Sequence, residues 1–406
     1  MLMNTARDTL SEATNSAAAR PAPAAAPAQA GRGERYGFVD LLRGFALIVM
    51  IETHVVNAYL PPAARGNRFF FWLSFVNGLV APSFLFASGF SIILQARRRW
   101  EDWLHFSPAF AKRMRRLGFI FLVAYYIHLP HFGISRFLTE RDPAFWKRAL
   151  QVDVLQCIVL SLLLVNVLIL IGRRPRVFFW MAAAAAAAAA LATPWIWGQD
   201  FSGRLPLAIA LYLNPHGVSL FPLFPWISFL LAGSCLAHLF LNAVAAKADA
   251  RVMRLVMIAG GAAIAAGWLA RELSLFSAWQ AGFYRTSPLY VLIRLGCVLV
   301  ICSGLYFLEK GRGWVPHAVR LAGQESLLVY TLHLLLIFSV LRSRTVAAVL
   351  GREAGYGACL LMSAAIILLM IALARVWHSR KQKSPRAARL ALAVIVGVNA
   401  VVFLLQ

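Results

Sequence analysis

The apolar stretch VDLLRGFALIVMIETHVV holds four ionisable side chains, Asp40, Arg43, Glu52 and His54. A charge near the centre of a bilayer costs about 2.5–3.5 kcal/mol on insertion scales, so charges retained in such a stretch point to function. Arg43 and His54 are eleven residues apart. At about 100° per residue that spacing returns to within about 20° of the same helix face, roughly 16.5 Å along the axis. One face therefore carries a guanidinium suited to anions near one end and an imidazole suited to proton transfer or nucleophilic attack deeper in. Glu52 lies two residues from His54 and points elsewhere, which makes it a poor direct partner within one helix. The plainer reading of the same residues has Arg43 reaching lipid phosphate and His54 hydrogen-bonding inside a bundle.

The segment FAKRMRRLGFIF sets Arg113 and Arg116 at i and i+3, where two guanidinium groups converge on one phosphate. A stop-transfer cluster that binds anionic headgroups has the same composition. In QESLLVYTLHLLL, Ser326, Tyr330 and His333 fall at i, i+4 and i+7 and share a face, with Glu325 at its margin. That polar stripe is expected to face a bundle interior, either as interhelical hydrogen bonding or as groups that orient or polarise His54. Asp153, with Gln156 one turn later, opens an apolar block and reads first as a helix cap. His128 and His131 have a spacing that suits a metal, but no third ligand is identifiable. No metal site is assigned, and the two read as interfacial or acceptor-side residues.

Long apolar helices must position these residues. Of 406 residues, 61% are hydrophobic and 14% charged, against roughly 45–50% and about 25% in a soluble domain. Blocks of about twenty apolar residues, the length that crosses roughly 30 Å of hydrocarbon, run at about 38–60, 69–95, 115–131, 152–172, 177–197, 220–242, 252–270, 287–308, 321–341, 357–376 and 389–405. Strand-like alternation is absent, which disfavours a β-barrel. The expected fold class is all-α, a polytopic integral membrane bundle of about ten or eleven transmembrane helices.

Residues 1–34, rich in Ala and Pro, read as a disordered cytoplasmic tail without the apolar core of a secretory signal. Residues 35–378 read as the transmembrane domain, and 379–406 as a basic cytoplasmic loop followed by the last transmembrane helix. With the N-terminus in the cytoplasm, most of the 40 Lys and Arg residues fall on the cytoplasmic side. The formal net charge of +24 is then a topology signal, and no nucleic-acid partner is expected. The five cysteines sit in spans as small reduced hydrophobes. Pro82 is expected to kink the second span, Ser88 and Gly89 to allow close packing, and Pro222 and Pro225 to make the start of the sixth span irregular. The sequence lacks Gly-x-Ser-x-Gly, a P-loop, Gly-x-Gly-x-x-Gly and His-Glu-x-x-His, so hydrolase, ATPase and zincin readings carry little weight.

Arg43, ten residues, then His54, followed by Arg113-x-x-Arg116, resembles the pattern of the transmembrane acyltransferase superfamily, and is also similar to the type-three acyltransferase family. The segments VDLLRGFALIVMIETH, APSFLFASGFSI, VDVLQCIVLSLLL, LFPWISFLLAGSCLAH and AGQESLLVYTLHLLLI are most similar to bacterial relatives of the heparan-α-glucosaminide N-acetyltransferase catalytic domain, over about residues 36–341. The resemblance implies transfer of an acyl group, usually acetyl, from cytosolic acyl-CoA to a carbohydrate-like or other hydroxyl or amine acceptor at the opposite membrane face. Acyl-CoA is then a co-substrate, with no cofactor bound permanently, and the lipid bilayer of a bacterial cytoplasmic (inner) membrane is the setting. His54 becomes the catalytic residue, as general base or as acylated nucleophile. Arg43, Arg113 and Arg116 become donor-binding residues, and Glu52, Asp153, Glu325, Ser326, Tyr330 and His333 supporting polar groups. The alternative is a secondary transporter or flippase for a small polar or glycan-related substrate, although no paired half-sequence repeat is visible. A noncatalytic scaffold leaves Arg43, His54, Ser326 and His333 without a common purpose.

Overall fold

The computed structural model describes residues 36–129, 133–201, 203–215, 217–280, 282–312, 316–341 and 353–405. The tail at 1–34 and His131 lie outside the described residues. Helices α1 (Gly37–Tyr59), α2 (Arg68–Asn77), α3 (Val80–Arg98) and α4 (Pro108–Tyr126) are followed by two short helices, α5 (Ile134–Thr139) and α6 (Pro143–Ala149). Then come α7 (Val154–Gly172), α8 (Pro175–Trp197), α9 (Leu207–Leu213), α10 (Leu223–Ala245), α11 (Asp249–Glu272) and α12 (Phe283–Thr286). The chain continues through α13 (Pro288–Arg312), α14 (His317–Gln324), α15 (Ser326–Leu334), α16 (Tyr356–Lys383) and α17 (Pro385–Leu405). No strand occurs among the described residues.

The protein is a multi-pass membrane protein. Eight helices among the described residues are long and apolar enough to cross a bilayer, or nine if the bent pair α14–α15 is one span, against the ten or eleven expected from the sequence. α1 and α4 are not among the eight. Lys112, Arg113, Arg115 and Arg116 crowd the first turns of α4, and Asp40, Arg43 and Glu52 interrupt α1. α1 tolerates its charges because it is the central helix, packed against α3, α13, α14, α15 and α16. Its Phe38, Leu41, Leu42, Leu47, Ile51 and Val55 are fully buried. Little of it meets lipid, and protein encloses most of its polar groups.

Local signals set the helix ends. Ser107 caps α4 by accepting from the Phe110 N–H at 3.2 Å, with Pro108 at the first helical position, where a missing N–H costs nothing. Asn67 caps α2 in the same way at 2.8 Å. The second span is interrupted at Gly78–Leu79 rather than at Pro82, which sits in the first turn of α3. The irregular start of the sixth span is present: Pro222 precedes α10, Phe224 has non-helical angles, and Trp197 Nε1 donates to its carbonyl at 2.9 Å.

α3 lies along α10. A Cβ at Gly89 would strike the Leu230 carbonyl, and one at Gly233 the Phe86 carbonyl, so small residues on both helices set this approach. The expected ninth span is two pieces. α14 and α15 meet at Glu325 with a bend of 82°, and Leu335–Leu341 continues as a π-helical segment. α14 packs on the first turns of α1, where Gln324 Nε2 donates to Asp40 Oδ2 at 3.0 Å, and α15 turns from there toward the far half of α1.

Candidate active site

His54 is presented by the last third of α1, and the chain brings α15 against it. The His54 and His333 ring centres are 5.4 Å apart with planes tilted by 38°. Phe338, from the π-helical segment, meets the His54 ring edge-on at 5.7 Å. His333 is wholly buried. Its Nδ1 is 2.7 Å from the Val329 carbonyl, which can only accept, so Nδ1 carries the hydrogen and Nε2 keeps its lone pair. That Nε2 has no hydrogen-bond partner. Tyr330 stands perpendicular to the His333 ring at 5.9 Å and is buried.

A second pair approaches from α7. Asp153 caps that helix, accepting from the Val154 N–H through Oδ1 at 2.6 Å, which bears out the capping role. Its Oδ2 is 2.8 Å from His128 Nε2, at the end of α4. Gln151 Nε2 lies 3.2 Å from His128 Nδ1; an amide nitrogen only donates, so Nδ1 accepts and Nε2 is the protonated nitrogen turned to the carboxylate. The Asp153 charge reaches both His54 and Tyr330. Gln156 is buried and donates to the Ala124 carbonyl at 3.1 Å, which ties α7 to α4. The arrangement gathers a half-buried and a buried imidazole, a phenol and a carboxylate–imidazole pair, a set able to accept, hold and return protons.

The other anticipated residues are placed differently. Glu52 faces Asn77 of α2 and Cys359 of α16, on another side of α1 from His54, as the two-residue spacing requires. Arg43 donates to the Ala87 carbonyl at 3.1 Å and to Ser91 Oγ at 2.7 Å, and lies 3.6 Å from Asp40 Oδ1, so it ties α1 to α3. Arg113 stacks its guanidinium 3.6 Å over the Trp103 ring, while Nε and Nη2 have no partner. Arg116 is exposed one turn on. Glu325 is gripped from α16: Lys381 Nζ donates to both carboxylate oxygens, at 2.6 and 2.7 Å, and His378 Nδ1 lies 2.8 Å from Oε1. Ser326 is the half-buried first residue of α15.

Sequence reasoning missed Arg294. It sits inside α13 with its guanidinium 4.2 Å from the Tyr290 ring centre and 5.6 Å from that of Trp226, and its Nε lacks a partner. The signal was present, an arginine within the apolar run LYVLIRLGCVLV. Phe338 had no such signal. Among the described residues, no group of three or more His, Cys, Asp and Glu side chains is placed to hold a metal ion.

No curated protein matches the chain. The family profile described as heparan-alpha-glucosaminide N-acetyltransferase, catalytic, matches residues 35–269, from α1 to nearly the end of α11. The match takes in Arg43, His54, Arg113, Arg116, His128 and Asp153, and stops before Arg294, Glu325 and His333. More than half of the chain lies within it, and the chain belongs to the heparan-alpha-glucosaminide N-acetyltransferase catalytic-domain family.

Proposed function

We propose that this membrane acetyltransferase takes an acyl group, acetyl in the first instance, from cytosolic acyl-CoA and delivers it to a sugar or other hydroxyl or amine acceptor at the opposite face. One observation carries the reading: the half-buried His54 and the buried His333 lie with ring centres 5.4 Å apart, and His333 Nε2 keeps an unused lone pair. In the direct route, an imidazole removes the acceptor proton as the acceptor oxygen or nitrogen attacks the thioester carbonyl. The C–S bond then breaks and the CoA thiolate collects the proton. In the two-step route, His54 attacks the thioester and releases CoA, and the acceptor then displaces the acyl group from the imidazole. His333 serves either route by holding the proton in transit. Asp153 stabilises the positive charge that develops on the imidazoles.

The donor end is assigned to arginines. Arg113, with unpartnered donors held flat on Trp103, and the exposed Arg116 suit the phosphates of CoA. Arg43, engaged with α3 and Asp40, braces the wall beside them. This assignment puts the N-terminus and the arginine-rich ends in the cytoplasm of a bacterial inner membrane, in line with the positive-inside bias.

The deciding experiment is acetyl-CoA binding to the purified protein in detergent, followed by intact-mass measurement of wild type and His54→Ala. Saturable binding supports the acyltransferase, and an acetyl adduct lost in the variant assigns the two-step route. No binding of any acyl-CoA length defeats the proposal and favours a transporter.

A further inference from the structure

The last two helices carry a cationic cluster that acyl transfer does not use. Arg375, Arg380, Lys381, Lys383, Arg386 and Arg389 follow one another there, and the sequence has no acidic residue after Glu353. Compensation has to come from elsewhere in the fold. Glu325 supplies some of it, and only to one side of α16, where Lys381 and His378 grip its carboxylate. His378 and Lys381 are three residues apart and share that side. Arg375, Ser379 and Lys383, at i, i+4 and i+8, form a stripe about 130° round the helix.

This second stripe, with Val376, Arg380 and Ser384, lines an open pocket of about 490 Å³ where α16 gives way to α17. Among the described residues no acidic side chain pairs with Arg375, Arg380 or Lys383. The pocket therefore offers three cations and two serine hydroxyls, all able to donate, with no carboxylate among its lining residues.

We propose that this pocket binds a phosphate group. Guanidinium forks match phosphate oxygens in pairs, the lysine adds a point charge, and Ser379 and Ser384 supply hydroxyl donors. Two sources present this chemistry, the headgroup of an anionic phospholipid at the membrane surface and a soluble phosphate ester.

The test uses the full-length protein in phosphatidylcholine nanodiscs, with bound ligand read by native mass spectrometry. One arm titrates phosphatidylglycerol and the other glycerol 3-phosphate, which lacks the nucleotide of CoA. Wild type is compared with Arg375→Gln/Arg380→Gln/Lys383→Gln, with Ser379→Phe, which fills the pocket and keeps every charge, and with Arg251→Gln/Arg254→Gln as a control for lost charge elsewhere. The expected result is saturable binding by wild type and control, weakened more than about tenfold in both pocket variants. Loss in the phosphatidylglycerol arm assigns a lipid headgroup, and loss in the glycerol 3-phosphate arm a soluble ester. The proposal is overturned if neither probe saturates, if both pocket variants bind both probes within about twofold of wild type, or if the control loses as much as they do. Ser379 is exposed, so its variant reports on the pocket even where the triple variant fails to insert.

Discussion

The rings of His54 and His333 lie 5.4 Å apart although they come from the first and the fifteenth helix of the chain. Removing either imidazole should therefore impair the same step. His54→Ala is expected to abolish transfer in protein that still folds and inserts, and His333→Gln to lower kcat by about 10²–10⁴-fold, the usual range for a lost acid–base group. Turnover of purified variants checks both. Unchanged kcat in His333→Gln would reduce that residue to a packing role.

The arginines proposed to bind the donor make a separable prediction. Arg113→Gln with Arg116→Gln should raise KM for acyl-CoA by about tenfold or more while leaving the acceptor KM within about twofold, because charge-assisted phosphate contacts contribute to donor binding alone. Steady-state kinetics with each substrate varied in turn decides it. Trp103→Leu should shift the donor KM in the same direction, since the guanidinium is held against that ring at 3.6 Å.

Asp153 both caps α7 and faces His128, and two substitutions divide those roles. Asp153→Asn keeps a cap acceptor and removes the charge, so turnover should fall by about tenfold or more with little change in Tm. Asp153→Ala should cost about 1 kcal/mol of stability in addition. If the Asn variant keeps full activity, the carboxylate is a cap and nothing more.

Glu325 is buried and held by Lys381 and His378, so Glu325→Gln should lower stability by about 1–3 kcal/mol through the loss of charge-assisted bonds. Lys381→Met should have a similar effect, and the double variant should do less harm than the sum, since each single change leaves a partner stranded. Thermal unfolding of the four proteins measures the coupling.

Much of this architecture was legible because membrane helices declare themselves by apolar length. α7, α8, α11 and α13 begin and end within a few residues of their expected bounds. α1 and α4 read as spans, and they fall short of the apolar composition of the other eight because Asp40, Arg43 and Glu52 interrupt α1 and a basic cluster opens α4. That α1 is packed among five other helices is tertiary placement that a local window does not see. The break at Glu325 was hidden because its reason, a carboxylate reaching α16, is non-local. Within the site, the Arg43 to His54 spacing and the stripe of Tyr330 and His333 were visible as helix faces. The pairing of His128 with Asp153 was not, since it depends on how α4 returns to α7 through a connection with no regular period.

The π-helical segment after α15 has a consequence for register. In an ordinary helix, residues five apart are about 140° out of phase and do not meet the same ring. His333 and Phe338 are five apart, and both contact His54. The wider turn of Leu335–Leu341 acts as a one-residue insertion that brings Phe338 to the same His54 ring that His333 meets. The aromatic lid on the imidazole pair is thus set by the length of this segment as much as by its side chains, and shortening the segment by one residue would uncover His54 without altering a single group that touches it.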